Sequence, residues 1–121
     1  MSQLKQTPSQ TVGPFFAYGL CPEQYNFDLK SLFTANAAEP GVAGEHIIIT
    51  GTVYDGSGAA VGDAIVESLQ ADASGQYVAS HDDAIARGFK GFCRVGTGTE
   101  EGNRFVIRTI KPGPVATGSA P

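Results

Sequence analysis

His46 and His81 are the only histidines of this chain. A metal site needs imidazoles and carboxylates converging at spacings such as HxH or HxxxH. Neither histidine has such a neighbour: His46 opens an apolar run, and His81 precedes Asp82-Asp83. Each therefore reads as a surface or capping residue. Asp82 and Asp83 offer two carboxylates for acid–base work, but adjacent loop residues point apart, so the expectation is a solvated loop. Cys21 and Cys93 form no CxxC pair and have no histidine close in sequence to lower a thiol pKa. They read as two reduced, structural thiols. Gly96-Thr97-Gly98-Thr99 is rich in glycine, yet it lacks the Lys-Ser/Thr of a phosphate cradle and follows no strand–helix pattern. No serine, histidine and aspartate set assembles. Taken alone, the residue chemistry gives the chain no complete active site.

Charge is segregated. Residues 1–84 hold ten acidic side chains against Lys5 and Lys30, whereas residues 85–121 hold six basic ones against Glu100 and Glu101. Two readings stand: the halves interleave on folding into a mixed surface, or the basic segment faces an acidic partner or an anionic substrate.

The elements that must position these groups are mainly strands. His46–Tyr54 is β-branched and about one strand long. Asp55-Gly56-Ser57-Gly58 is a turn, because glycine supplies positive φ. Ala64–Gln70 is a second strand, with another turn in Ala71–Tyr77. Gly88–Arg94 mixes apolar and polar residues around two phenylalanines. Arg104–Ile110 alternates, placing Phe105 and Ile107 on one face and Arg104 and Arg108 on the other. Lys111-Pro112-Gly113-Pro114 stops it sharply. Ahead of the strands, Thr7–Phe16 is breaker-rich and then aromatic. It fits neither helix nor central strand and reads as an extended arm whose rings need cover, on its own domain or on another subunit. Asp28–Phe33 is read as one helical turn, residues 37–44 as loop, and the tail from Val115 as mobile.

With 121 residues, 41% hydrophobic and 17% charged, the chain is one globular domain. Residues 1–44 form an arm with loops and residues 45–121 a β portion. Sixteen glycines and seven prolines agree with a turn-rich β protein. The net charge of −4 argues against nucleic-acid binding. No apolar run reaches the ~18 residues of a membrane span. The N-terminus has no apolar core behind its one lysine, so it does not read as a secretory signal; with the reduced thiols, the expected location is the cytoplasm. Three clear strands and one or two weaker ones fall short of the about seven in a sandwich. The expectation is a part-sandwich, completed by further residues or by a partner chain.

One resemblance extends this reading. Thr7-Pro8-Ser9-Gln10-Thr11, Gly13-Pro14-Phe15 and Gly19-Leu20 are followed by Gly44-Glu45-His46-Ile47 and Gly51-Thr52-Val53-Tyr54-Asp55-Gly56. Next come Gln70–Tyr77, Gly91-Phe92-Cys93-Arg94 and Thr109-Ile110-Lys111-Pro112-Gly113-Pro114. In that order they resemble the α subunits of the intradiol ring-cleaving dioxygenases. Any one piece is common; the ordered set covers nearly the whole chain.

The resemblance implies an intradiol-dioxygenase-type β-sandwich, incomplete here at its C-terminal side, with an extended N-terminal arm. It implies a bacterial hetero-oligomer with a homologous β subunit that holds Fe(III) through two tyrosines and two histidines. It implies O2-dependent opening of 3,4-dihydroxybenzoate to 3-carboxy-cis,cis-muconate in aromatic catabolism. In the β subunit a ligand tyrosine follows the segment matching Lys111–Pro114. Here that position is Val115, which has no donor atom, so no metal is expected on this chain and no catalytic residue. Thr11, Gly13, Pro14 and Phe15 match positions where the family's arm lines the substrate pocket, although the family often has tyrosine where this chain has Phe15. The arm either lines that pocket or only staples two subunits, and the two roles can coexist. Leu69 stands where the family usually has tryptophan. Two competing readings remain: a non-enzymatic β-sandwich binding module sharing only the fold, and a single-subunit intradiol enzyme of the catechol 1,2-dioxygenase type, against which Val115 argues.

Overall fold

The computed structural model describes residues 3–11, 13, 16–26, 28, 31 and 33–116. In chain order the elements are α1 (Phe16–Leu20), β1 (His46–Thr52), β2 (Ile65–Leu69), α2 (His81–Arg87), β3 (Phe92–Gly96) and β4 (Arg104–Ile110), with short 3-10 turns at Pro22–Tyr25 and Glu101–Asn103. The fold is mainly β. β1 pairs antiparallel with β4 in the register Ile47↔Thr109, Ile49↔Ile107, Gly51↔Phe105. β2 pairs antiparallel with β3, placing Val66 opposite Val95 and Glu67 opposite Arg94. Each ladder has two strands.

The two ladders meet through β3 and β4. Buried Cys93 and Val95 from β3 pack with Ile107 of β4 and with Ala37, and Ala35, Val66 and Phe105 extend the cluster. This follows from period-two alternation, which sends Phe105, Ile107 and Thr109 to the same face of β4. Segment 34–39 stitches the ladders together by backbone bonds. Ala37 N–H donates to Arg108 O at 2.9 Å, Arg108 N–H to Ala35 O at 2.9 Å, Lys90 N–H to Ala37 O at 2.8 Å and Arg94 N–H to Thr34 O at 3.1 Å. Gln70 adds a side-chain tie across the ladders. Its Nε2 donates to Ile110 O at 2.8 Å, and its Oε1 accepts from Thr109 Oγ1 at 2.6 Å.

Two turns share one construction. Asp55 Oδ1 accepts from Ser57 N–H, Ser57 Oγ and Ala59 N–H at 2.7–2.9 Å. Asp72 Oδ1 does the same with Ser74 N–H, Ser74 Oγ and Gln76 N–H at 2.8–2.9 Å. Each Asp-x-Ser-Gly turn ends on a glycine of positive φ, Gly58 at +84° and Gly75 at +86°. This is the aspartate side chain replacing a backbone acceptor, the mechanism expected of such turns.

Three expectations are corrected. Asp82 and Asp83 are not in a loop but in the first turn of α2. Ser80 Oγ caps that helix by accepting from Asp83 N–H at 3.1 Å, Asp83 Oδ2 accepts from Ala79 N–H at 3.0 Å, and Gly88 closes the helix at φ +62°. Carboxylates at a helix N-terminus also complement its dipole. The arm is not extended throughout: Phe16–Leu20 forms the short helix α1. Asp28, Ser31 and Phe33 are not helical, and the rest of that stretch lies outside the described residues. Residues 117–121 of the tail lie outside them too.

Apolar side chains remain uncovered on the outer faces. Ile48 is 63% exposed and Leu69 71% exposed. Among the described residues, β1 and β2 each have one paired edge, an arrangement that natural sheets normally cover.

Candidate functional site

The segment Lys111–Pro114 is held from three sides. Lys111 N–H donates to Glu45 O and Gly113 N–H to Asp72 O, each at 2.8 Å. A Cβ on Gly113 would sit 2.8 Å from the carbonyl carbon of Ala73, and one on Gly75 would sit 2.9 Å from that of Pro114. The Asp72 turn and the Pro-Gly-Pro segment are thus in backbone-to-backbone contact. Val115 leaves this clamp with 42% of its surface exposed.

The clamp is braced from α2. Arg87 Nη2 donates to Asp72 Oδ2, while its Nη1 donates to Asp83 Oδ2 at 3.2 Å and to Tyr77 O at 3.3 Å. The guanidinium also lies 5.7 Å over the Phe89 ring. The N–H of Gln76 and the hydroxyl of Ser74, with a smaller contribution from Arg87, hold the Asp72 carboxyl down at about 2, below its ordinary 3.8. A lowered folded-state pKa gives stability that is complete above the ordinary value and lost as pH falls through the folded one. Acid titration of unfolding should show this turn's contribution fading between about pH 4 and 2. Asp72→Asn should flatten the profile over that window, and an unchanged profile would show that the turn does not depend on the charge.

The histidines and cysteines do no such work. His46 Nε2 bonds Val42 O at 2.8 Å at the mouth of β1. His81 lies at the start of α2, on an open groove of about 690 Å³ shared with Phe33, Leu69, Ile85, Lys90 and Arg108. Cys21 and Cys93 are both buried, and desolvation pushes both thiols up, away from reactivity. No three His, Cys, Asp or Glu side chains converge on a metal-sized site among the described residues. Val115, lacking any donor, adds nothing to that set. Among the described residues, the His, Cys, Asp and Glu side chains assemble no ligand set that fits ferric iron.

Of the arm residues, Thr11 and Gly13 are exposed and make no hydrogen bond with the described residues. Pro14 and Phe15 lie outside the described residues. The arm is rooted at Cys21 and Pro22, both buried, and at Gln24. Gln24 Nε2 donates to Gly62 O and its Oε1 accepts from Gly98 N–H, each at 3.0 Å. This also accounts for the glycine-rich stretch 96–99, whose small residues admit the Gln24 amide rather than a phosphate. Thr97 in that stretch is fully buried and bonds Ala64 through Oγ1. Gln24 carries no local sequence signal, since its partners lie 38 and 74 residues away.

The charge halves interleave in part. Arg87 pairs with Asp72, and Arg94 with Glu67 at 2.7 Å. Arg104 and Arg108 form no ion pair among the described residues.

A family model described as "Dioxygenase" matches residues 13–120. The chain belongs to this dioxygenase family. It is 57% identical over all 121 residues to the protocatechuate 3,4-dioxygenase alpha chain of Burkholderia cepacia, covering 61% of that protein. It is 38% identical over 113 residues to the alpha chain of Pseudomonas putida, covering 93% of this chain and 55% of that one. To the beta chain of Burkholderia cepacia it is 40% identical over 92 residues, 73% of this chain and 38% of the other. The chain therefore spans little more than half the length of the alpha chains it matches. Among solved structures it superposes on the dioxygenase domain of a Streptomyces sp. SirexAA-E carbohydrate-binding fusion. That match has TM-score 0.57 at 22% identity and covers 92% of this chain and 59% of that one. It also superposes on a 3-chlorocatechol 1,2-dioxygenase from Rhodococcus opacus 1CP, with TM-score 0.51 at 30% identity over 69% of this chain and 32% of that one. The fold is that of the intradiol dioxygenases, and the sequence relationship is to protocatechuate 3,4-dioxygenase subunits. No helix among the described residues is long and apolar enough to cross a membrane.

Proposed function

We propose that this chain is the α-type subunit of a protocatechuate 3,4-dioxygenase and binds no iron itself. One contrast carries the reading. Against the two chains of a single organism's enzyme, it is 57% identical to the alpha chain along its whole length and 40% identical to the beta chain over 73% of it. The reaction is O2-dependent intradiol opening of 3,4-dihydroxybenzoate to 3-carboxy-cis,cis-muconate in bacterial aromatic catabolism, in the cytoplasm. Fe(III) belongs to the companion β-type chain. Val115, at the end of the clamped Lys111–Pro114 segment, supplies no ligand.

The arm is the α-type chain's contribution to the substrate pocket. Thr11, Gly13, Pro14 and Phe15 line it, with Gly13-Pro14 presenting backbone and Phe15 an apolar wall to a flat ring. The exposure of residues 3–11 and of Gly13 supports an arm that finds its cover on another subunit. These four residues position and wall off the substrate, and no bond is made or broken on them.

Co-expression with the β-type chain tests this reading. The expected result is a stable two-chain complex that contains iron and consumes oxygen with protocatechuate. A β-type chain that is fully active without this one, or that never pairs with it, would overturn the reading.

A further inference from the structure

The arm leaves the body of the protein at one built junction. Cys21, which precedes the 3-10 turn Pro22–Tyr25, and Pro22, its first residue, are both buried, and Cys21 N–H bonds Ala17 O at 2.9 Å, which makes α1 continuous with that turn. Tyr18 and Tyr25 lock the two pieces edge to face, with ring centroids 4.7 Å apart. The direction of α1 is therefore set by how the turn is seated.

Gln24 seats it. Its amide uses both ends, one on Gly62 O and one on Gly98 N–H, so it can sit in only one orientation between two loops. The receiving side is shaped to the amide. A Cβ on Gly96 would meet Gln24 Cδ at 2.9 Å, and one on Gly98 would meet Gly62 O at 2.5 Å and Gln24 Nε2 at 2.7 Å. Neither glycine has the positive φ that would explain it by backbone conformation. Their role is close approach.

We propose that Gln24 is a positioning residue: its amide, docked between Gly62, Gly96 and Gly98, aims the N-terminal arm at the substrate pocket of the assembled enzyme. The inference rests on the reading that the arm lines that pocket, and its test separates the two. In the two-chain enzyme, Gln24→Ala, Gly96→Ala and the double variant are compared by proteolysis of residues 3–20 and by KM and kcat. Gln24→Ala should speed arm cleavage and raise KM, each by about ten-fold, the worth of two lost hydrogen bonds. The change in kcat should be smaller. Gly96→Ala should do the same by evicting the amide. The double variant should be no worse than Gln24→Ala, because the remaining neighbour of that Cβ, Cys21 Cβ, is at an ordinary 3.5 Å. Gln24→Glu keeps the shape but loses the donor to Gly62 O, and should fall between wild type and Gln24→Ala. Undisturbed arm protection in Gln24→Ala, or additive effects in the double variant, would overturn the proposal. A loosened arm with unchanged KM would uphold the latch and remove the pocket-lining reading instead.

Discussion

Gly75→Ala is expected to destabilise the full-length protein by about 2–5 kcal/mol, whereas Gly58→Ala should cost only about 1–2 kcal/mol. The two glycines end the same Asp-x-Ser-Gly turn, with φ of +86° and +84°. Both substitutions force an L residue into the left-handed region, at the same backbone cost. They differ in what the new methyl meets. At Gly58 nothing lies within 4 Å; at Gly75 it runs into the backbone carbonyl of Pro114, with the carbonyl carbon at 2.9 Å. Backbone cannot rotate away as a side chain can, so the clash adds to the strain. The difference between the variants in chemical denaturation measures the clamp on Lys111–Pro114. Equal losses would show that the two segments are not in the contact described.

Phe15→Ala in the two-chain enzyme is expected to lower kcat/KM for protocatechuate by about 10–100-fold, the range for removing an apolar contact from a substrate pocket. Pro14→Ala should act in the same direction by loosening the backbone ahead of it. Subunit pairing should survive both. Steady-state kinetics with gel filtration separates the alternatives: unchanged kinetics with lost pairing would make the arm a staple between subunits and nothing more.

Elements that state themselves locally were legible in the sequence. β4 spans Arg104–Ile110, as its alternation and the Lys-Pro-Gly-Pro stop require, and β1 follows its β-branched run up to Thr52. Both Asp-x-Ser-Gly turns were marked by residues that make their own hydrogen bonds. α2 was not legible by periodicity, because only Ala84 of its seven residues is buried. The helix is held by its ends, and the Ser80-x-x-Asp83 pattern was the available signal. Leu69 shows the limit of reading faces from alternation alone: it is an apolar residue in a strand and yet is mostly exposed.

The site divides in the same way. Val115 is informative only beside the family pattern, since a valine after Pro-Gly-Pro signals nothing by itself. The contacts that fix its position join Asp72, Ala73 and Gly75 to Gly113 and Pro114, remote in sequence and made by backbone. Gln24 is the extreme case, a polar residue in a short turn whose importance exists only once both distant loops are in place.

Metal analysis of this chain, purified without its β-type companion from iron-replete cells, tests the central claim most directly. The account predicts a colourless protein with no stoichiometric iron, and iron and colour only in the two-chain complex. One tightly held iron per copy of the isolated chain would contradict it.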